Sequence, residues 1–276
     1  MVSLAKRLEE RLSAITEDSR FEANVLLETV FGRDYRLSAI KGGFEPKKEQ
    51  LERLWQLAER RMSGEPLQYI VGEWEFYGID LKVAPGVLIP RQDTETLVEL
   101  SLELIKNIPE PKIADLCAGS GCICAAIFSK RPDAKIFAVE LYPKAYEILC
   151  ENISRFGGIT PVCADVTDKK TAERFSGLDL LVTNPPYLSA EDMKNLQPEV
   201  QKEPETALFG GEDGLDFYRA IPYLWRGSLK DGGHIAFEIG AAQKNDVCRL
   251  LGASGYEDIS FKTDAAGKDR AVYAKK

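Results

Sequence analysis

The 276-residue chain has one histidine, His234, and six cysteines at 117, 122, 124, 150, 163 and 248, none at the C-x-x-C spacing of a zinc site. A single imidazole leaves too little for a His-based metal centre or a Ser-His-Asp mechanism. Cysteines so spaced in a chain this long do not resemble a disulfide framework and read as free thiols. No metal is expected, and His234, which follows Asp231-Gly232-Gly233 at the start of an expected strand, reads as structural. Long apolar runs are missing too. Nothing approaches the roughly 18 uninterrupted apolar residues of a membrane span, and the opening Met-Val-Ser-Leu-Ala-Lys-Arg-Leu-Glu-Glu has no signal-peptide core. A cytoplasmic protein without membrane contact is expected, and a monomer. Basic residues are short: 36 Lys+Arg stand against 44 Asp+Glu, a net charge of −8. Residues 1–65 hold twelve of each sign, so the deficit falls on the remainder, with 24 basic against 32 acidic residues. Such a body argues against a protein whose affinity comes from neutralising phosphates, so no direct nucleic-acid contact is expected. What is present, 44% hydrophobic and 29% charged residues, suffices for an ordinary folded core.

The first 65 residues read as helices. Leu4, Leu8, Leu12 and Ile15 recur at helical spacing, as do Phe21, Val25, Leu26 and Val30, between a capping candidate at Asp18 or Ser19 and Gly32. A third apolar stripe, Leu51, Leu54, Ala58 and Met62, implies a helix over Lys47–Met62. From Pro66 to Val83, aromatic and β-branched residues interrupted by Gly78 suggest a hairpin. A helix is expected over Thr94–Lys106, stopped by Pro109-Glu-Pro111. The expected domains are 1–67, a helical block, 68–84, a β-hairpin connector, and 85–276, an α/β domain.

From Lys112, short apolar runs alternate with helical stretches. Strands are expected at Ile113–Cys117, Lys135–Val139, Thr160–Cys163, Leu178–Thr183, His234–Glu238, Ile259–Thr263 and Ala271–Ala274. Strands separated by helices imply crossover units and a mostly parallel sheet. Asp264–Arg270 is too short for a crossover helix, so the last two strands should pair antiparallel.

Ile113-Ala-Asp-Leu-Cys117-Ala-Gly119-Ser-Gly121-Cys-Ile-Cys124 reads as strand, tight turn and helix start. Glycines at 119 and 121 let backbone approach a ligand and leave helix-start amides free to bind it. Glu140 ends the next strand 25 positions after Asp115, near the spacing at which Rossmann-like sites grip a ribose. Asp165 ends the third. A nicotinamide cofactor is disfavoured because Cys124 stands where the third glycine of G-x-G-x-x-G belongs.

Leu178-Asp-Leu-Leu-Val-Thr-Asn184-Pro185-Pro186-Tyr187 is the most specific element. The prolines stiffen the segment after a buried strand and leave its carbonyls uncommitted. The Asn184 side-chain oxygen and the Pro185 carbonyl can each accept a hydrogen from a planar –NH₂, with the Tyr187 ring stacked on its plane. An amide or exocyclic amine is a poor nucleophile, and such acceptors strengthen as positive charge grows on nitrogen.

The seven-strand pattern with an antiparallel end resembles the seven-stranded Rossmann-like class I S-adenosylmethionine-dependent methyltransferases. That resemblance implies that Glu140 holds the ribose, Asp165 the adenine amino group and Val166 the adenine. Asp115, Cys117, Ala118, Gly119, Ser120, Gly121 and Asn184 would complete the site for S-adenosyl-L-methionine, the product being S-adenosyl-L-homocysteine. Asn184, Pro185, Pro186 and Tyr187 would be the catalytic group. Pro66-Leu-Gln-Tyr-Ile-Val-Gly72, Leu88-Ile-Pro-Arg91 with Thr94-Glu95, Glu199-Val200, Glu203-Pro204, Ala207-Leu208 and Phe237-Glu-Ile-Gly240 together resemble the HemK/PrmC family over nearly the whole chain. This implies glutamine N5 methylation in the Gly-Gly-Gln loop of peptide-chain release factors, with the helical block docking the substrate. A ribosomal-protein glutamine, or an adenine or guanine amine in nucleic acid, are the alternatives. Cys117-Ala118, Gln92-Asp93 and Gln201 depart from the family pattern. Glu199–Gly211, in the long connection after Asn-Pro-Pro-Tyr, is expected to wall the glutamine pocket.

Overall fold

The computed structural model describes residues 4–32, 34–35 and 45–276. It divides into two compact units, one of 1–73 with 197–202, the other of 74–196 with 203–276. Among the described residues no helix is long and apolar enough to cross a membrane.

In the first unit, helices α1 (Leu4–Leu12), α2 (Ser19–Phe31) and α3 (Lys48–Met62) lie where the apolar periodicity puts them. Their buried faces differ in detail. Phe21 is 55% exposed and Ile15 is exposed. In their place α2 buries Glu22, Ala23, Leu26 and Leu27, and α3 buries Leu54, Leu57, Ala58 and Arg61. The shift of face is explained by a buried ion pair: the Arg61 guanidinium donates from Nε to Glu22 Oε2 at 2.7 Å and from Nη2 to Glu22 Oε1 at 2.9 Å. Two charges buried together satisfy each other, so α2 can turn a carboxylate inward and leave Phe21 outside. Leu67–Val71, read from sequence as part of a strand, is a short helix that ends at Gly72 in the left-handed conformation. Gly72 donates to the Gln68 carbonyl there, a helix-ending bond that overrides the β-leaning composition of Tyr69, Ile70 and Val71.

A hairpin follows, β1 (Glu73–Phe76) and β2 (Ile79–Lys82). Tyr77 and Gly78 both have positive φ, 53° and 76°, the requirement of a two-residue type I′ turn. Phe76 and Leu81 are buried in the core of the second unit.

That unit is built on strands β3 (Lys112–Leu116), β4 (Lys135–Glu140), β5 (Ile159–Cys163), β6 (Leu178–Thr183), β7 (Leu229–Glu238), β8 (Glu257–Thr263) and β9 (Asp269–Lys275). Their order is β5-β4-β3-β6-β7-β9-β8, parallel except for β9, which runs antiparallel to both neighbours. This is the class I S-adenosylmethionine-dependent methyltransferase fold. Every residue of β6 is buried, as a central strand covered on both faces requires. Leu180 and Val182 face one core with Ile113 and Ile127, while Leu181 faces the other with Tyr218, Trp225 and Phe237. The chain winds outward in opposite directions from β3 and β6, and the crevice beyond their carboxyl ends is where such sheets bind ligands.

Candidate active site

A cavity of about 230 Å³ opens in that crevice. Of the site residues expected from sequence, Cys117, Ala118, Gly119, Ser120, Glu140, Asp165, Val166, Asn184 and Pro186 line it. Asp115, Gly121, Pro185 and Tyr187 do not. The connection after β3 turns sharply, with Cys117, Gly119 and Gly121 at φ 58°, 55° and 80°. The two glycines differ in purpose. A Cβ on Gly121 would stand 2.6 Å from Leu149 Cδ1, so this glycine serves packing of the Pro143–Ile153 helix. A Cβ on Gly119 would meet nothing closer than Val87 Cγ2 at 4.0 Å, leaving its cavity side open to a ligand. Asp115 also serves the scaffold: fully buried, it accepts the Cys124 amide at 3.0 Å through Oδ2, while Oδ1 has no partner. Burial pushes its carboxyl up to about 7.

Glu140 is more committed than its expected ribose role suggests. Oε2 accepts the Gly119 amide at 2.9 Å, and Oε1 accepts the amides of Leu141 at 2.8 Å and Tyr142 at 2.9 Å. The carboxylate thus ties the glycine turn to the end of β4, and a lone pair on Oε2 is left for a hydroxyl donor. Asp165 spends Oδ1 on the Thr167 amide and hydroxyl, at 2.8 and 2.7 Å. The Val166 carbonyl accepts from Trp225 Nε1 at 2.8 Å, leaving its apolar side chain to the cavity. Open space at Gly119, one carboxylate at each of two strand ends and an apolar patch fit an adenosine with a charged tail.

At the end of β6, alternate residues of the extended segment point opposite ways. Asn184 and Pro186 therefore face the cavity, while the Tyr187 side chain lies toward Gly240 and Glu238. Burial, with the Glu238 charge adding to it, pushes the Tyr187 phenol up to about 12. Sequence reading missed what clamps this turn. Gln243 donates from Nε2 to the carbonyls of Tyr187 at 2.9 Å and Gly214 at 3.2 Å, and its Oε1 accepts the Gly240 amide at 2.9 Å. Gln243 carries no sequence signal, since its register is set by β7 and the helix that follows. Asn184 Nδ2 donates to Thr94 Oγ1 at 3.4 Å.

The long connection after Tyr187 divides its roles. Pro204, Thr206 and Ala207 line the cavity, whereas Glu199, expected on the same wall, pairs with Arg61 inside the first unit. Glu203, buried, accepts the Ile89 amide at 3.0 Å and pairs with the Arg91 guanidinium. The resemblance motif Leu88-Ile-Pro-Arg91 is thereby fixed against Glu203-Pro204.

A family model of the PrmC N-terminal domain matches residues 3–72, and one of the methyltransferase small domain matches 88–211. A protein of Moorella thermoacetica named release factor glutamine methyltransferase is 40% identical over 263 residues, covering 94% of this chain and 92% of its own. One of the same name from Clostridium botulinum is 37% identical over 261 residues, with 93% and 92% covered. The chain spans only 65% of a third so named, from Fusobacterium nucleatum, which is 38% identical over 235 residues and 84% of this chain. Among solved structures, the catalytic domain of hMettl16 in complex with a MAT2A 3′UTR hairpin superposes with a TM-score of 0.57 at 13% identity. That match covers 83% of this chain and 82% of the other, a likeness of fold.

Proposed function

The chain belongs to the release factor glutamine methyltransferase family, and on that premise we propose that it methylates the N5 amide nitrogen of the Gly-Gly-Gln glutamine of peptide-chain release factors. The methyl group comes from S-adenosyl-L-methionine, whose sulfonium supplies an electrophilic carbon to an incoming nitrogen. The observation that carries this reading is the placing of Asn184 and Pro186 in the wall of the same cavity as Glu140, Asp165 and Val166. An acceptor for an –NH₂ and a cradle for an adenosine thus share one space.

The residues divide the work. Asp165 and Val166 would hold the adenine, and Glu140 the ribose through the remaining lone pair of Oε2. The Gly119 turn would admit the amino-acid tail. Asn184 Oδ1 would accept an amide hydrogen, which fixes the nitrogen and gains strength as its charge rises, while the Pro185 carbonyl, the second acceptor expected from sequence, stands outside the cavity wall. No group of the wall needs to remove a proton before transfer, which suits a cavity without imidazole. The helical unit is proposed to dock the release factor. The enzyme is read as cytoplasmic and independent of nucleic acid, supported by the net charge of −8.

Incubation with labelled cofactor and a release factor tests the proposal. Label is expected on the factor, one methyl on the Gly-Gly-Gln glutamine by mass spectrometry. Asn184→Ala should cut the rate by about 100-fold or more, in the range for loss of one transition-state acceptor, with cofactor affinity nearly unchanged. Label found only in nucleic acid would overturn the proposal.

A further inference from the structure

Two sides of the cavity come from segments far apart in sequence. One is the glycine turn, which places Ala118, Gly119 and Ser120 in the wall; the other is the segment leaving the hairpin, which places Gly86 and Val87 there. The two face each other closely, since a Cβ on Gly119 would have Val87 Cγ2 as its nearest neighbour at 4.0 Å. The Pro143–Ile153 helix backs both. Its Leu149 and Ile153 lie close to Gly121, and its Ala145 and Ile148 pack with Val83 and Val87.

Asn152 is a polar residue of that helix, 6% exposed, and it makes three hydrogen bonds, all to backbone. Its Oδ1 accepts the Lys82 amide at 2.8 Å, while Nδ2 donates to the Lys82 carbonyl at 3.0 Å and to the Ser120 carbonyl at 2.8 Å. Lys82 ends β2, five positions before Val87, and Ser120 adjoins Gly119.

We propose that Asn152 is a positioning residue for S-adenosyl-L-methionine: by joining Lys82 to Ser120 it fixes the separation of the Val87 and Gly119 sides of the cavity before the cofactor arrives. The inference rests on the cavity being the cofactor site and not on the identity of the methyl acceptor.

The direction of every bond is set by backbone. An amide N–H can only donate and a carbonyl only accept, so Oδ1 must face the Lys82 amide and Nδ2 the two carbonyls. Both hydrogens of Nδ2 are thereby used, one on each side of the join. The peptide between Ser120 and Gly121 is held at both edges, its oxygen by Asn152 and its N–H by the Ala118 carbonyl at 2.8 Å. Without Asn152 a buried carbonyl would lack its donor, and the turn would move to find another. A binding site that must be re-formed on binding loses affinity in proportion to the fraction of molecules in which it is formed. Support of the hairpin alone requires no arm to Ser120. The hairpin has other fastenings to the same end of the helix: Arg155 Nη2 donates to the Asp80 carbonyl at 2.6 Å, and Lys82 pairs with Glu151.

Calorimetric titration of the full chain with S-adenosyl-L-methionine tests this, with each variant first shown to be folded at the assay temperature. Asn152→Asp still accepts the Lys82 amide but, as a carboxylate, offers no hydrogen to either carbonyl, and Asn152→Leu keeps much of the volume and makes none of the three bonds. Each should raise Kd about 10-fold, as a formed site in roughly one molecule of ten would. Arg155→Ala, which loosens the hairpin but does not touch the glycine turn, should leave Kd within about 2-fold of wild type. The ligand-free protein gives a second readout, because the Gly121 amide shares its peptide with the Ser120 carbonyl. Its resonance should shift in both Asn152 variants and stay in place in Arg155→Ala. In turnover, Asn152→Asp should raise the KM for the cofactor and keep kcat within about 3-fold, whereas a general loosening of the fold would lower kcat. An unchanged Kd in both folded Asn152 variants, or an equal loss of affinity in Arg155→Ala, overturns the proposal. Wild-type binding is the control that separates the two readings: failure of wild type to bind would defeat the cofactor site itself, and equal binding by wild type and variants would defeat only the role of Asn152.

Discussion

Two buried carboxyls govern how this protein should respond to pH. Asp115 is raised from 3.8 to about 7 and Glu238 from 4.5 to about 7, in each case chiefly by burial. A group whose folded pKa lies above its unfolded value is favoured in its protonated form by folding. Its stabilising contribution is complete below the unfolded pKa and is lost as pH rises through the folded one. Between about pH 4 and 7, each group should therefore weaken the fold by up to about 1.4 kcal/mol per pH unit. Asp115→Asn isolates one of them. The amide keeps an oxygen for the Cys124 amide and cannot ionise, so its melting temperature should gain on wild type as pH is raised from 5 to 8. Parallel curves for the two proteins would show that Asp115 does not titrate in this window. Asp115 also shows the limit of reading residues in sequence: an acid near a strand end predicts a ligand contact or a scaffold bond equally well. The direction of its side chain, toward the start of the Cys122–Lys130 helix, decided which.

At the scale of elements, the connection from Leu188 to Gly214 is held against the Asn184–Tyr187 turn by backbone. Leu188 donates to the Leu208 carbonyl at 2.9 Å, and Gly210 donates to the Leu188 carbonyl at 2.8 Å. Gly210 sits so close that an added Cβ would stand 2.6 Å from the Pro186 carbonyl oxygen and 2.8 Å from Tyr187 Cα. Backbone cannot swing aside as a side chain can. Gly210→Ala should therefore shift the turn that carries Asn184, and a displacement near 1 Å costs about 100-fold in rate when geometry supplies the proximity. Steady-state kinetics should show the loss in kcat/KM for the release factor, with cofactor binding by calorimetry nearly intact; full activity would mean that the turn adapts. The strands of this unit were legible because each is a short β-rich run set off by a helical crossover or, for the last pair, by a short polar turn, and all seven expected strands are present. Leu67–Val71 was not, because five residues of mixed preference are decided by the helix-ending bond at Gly72. Gln243 was invisible for a related reason: the carbonyls of Tyr187 and Gly214 that it holds are 56 and 29 positions away in sequence, brought together only by strand order.

Across the whole molecule, the chain passes from one compact unit to the other several times. Glu199 pairs with Arg61 inside the helical unit, and Glu203, four positions on, belongs to the sheet unit with Arg91 and Ile89. Arg61 is the centre of the helical unit's charge balance, with Glu22 and Glu199 both on its guanidinium. Its burial lay outside what apolar periodicity can express, since a pattern of leucines says nothing of an arginine turned inward. Arg61→Ala would leave Glu22 buried without its cation, a loss on the order of 3–5 kcal/mol. Calorimetry should show an early transition for the helical unit, with the sheet unit melting as before. If that unit docks the release factor, the same variant separates docking from chemistry. Its kcat/KM should fall steeply on an intact release factor and stay close to wild type on a short Gly-Gly-Gln peptide, which engages only the cavity lined by Asn184. Equal losses on protein and peptide would remove the docking role from the helices and leave Arg61 as a support of the fold alone.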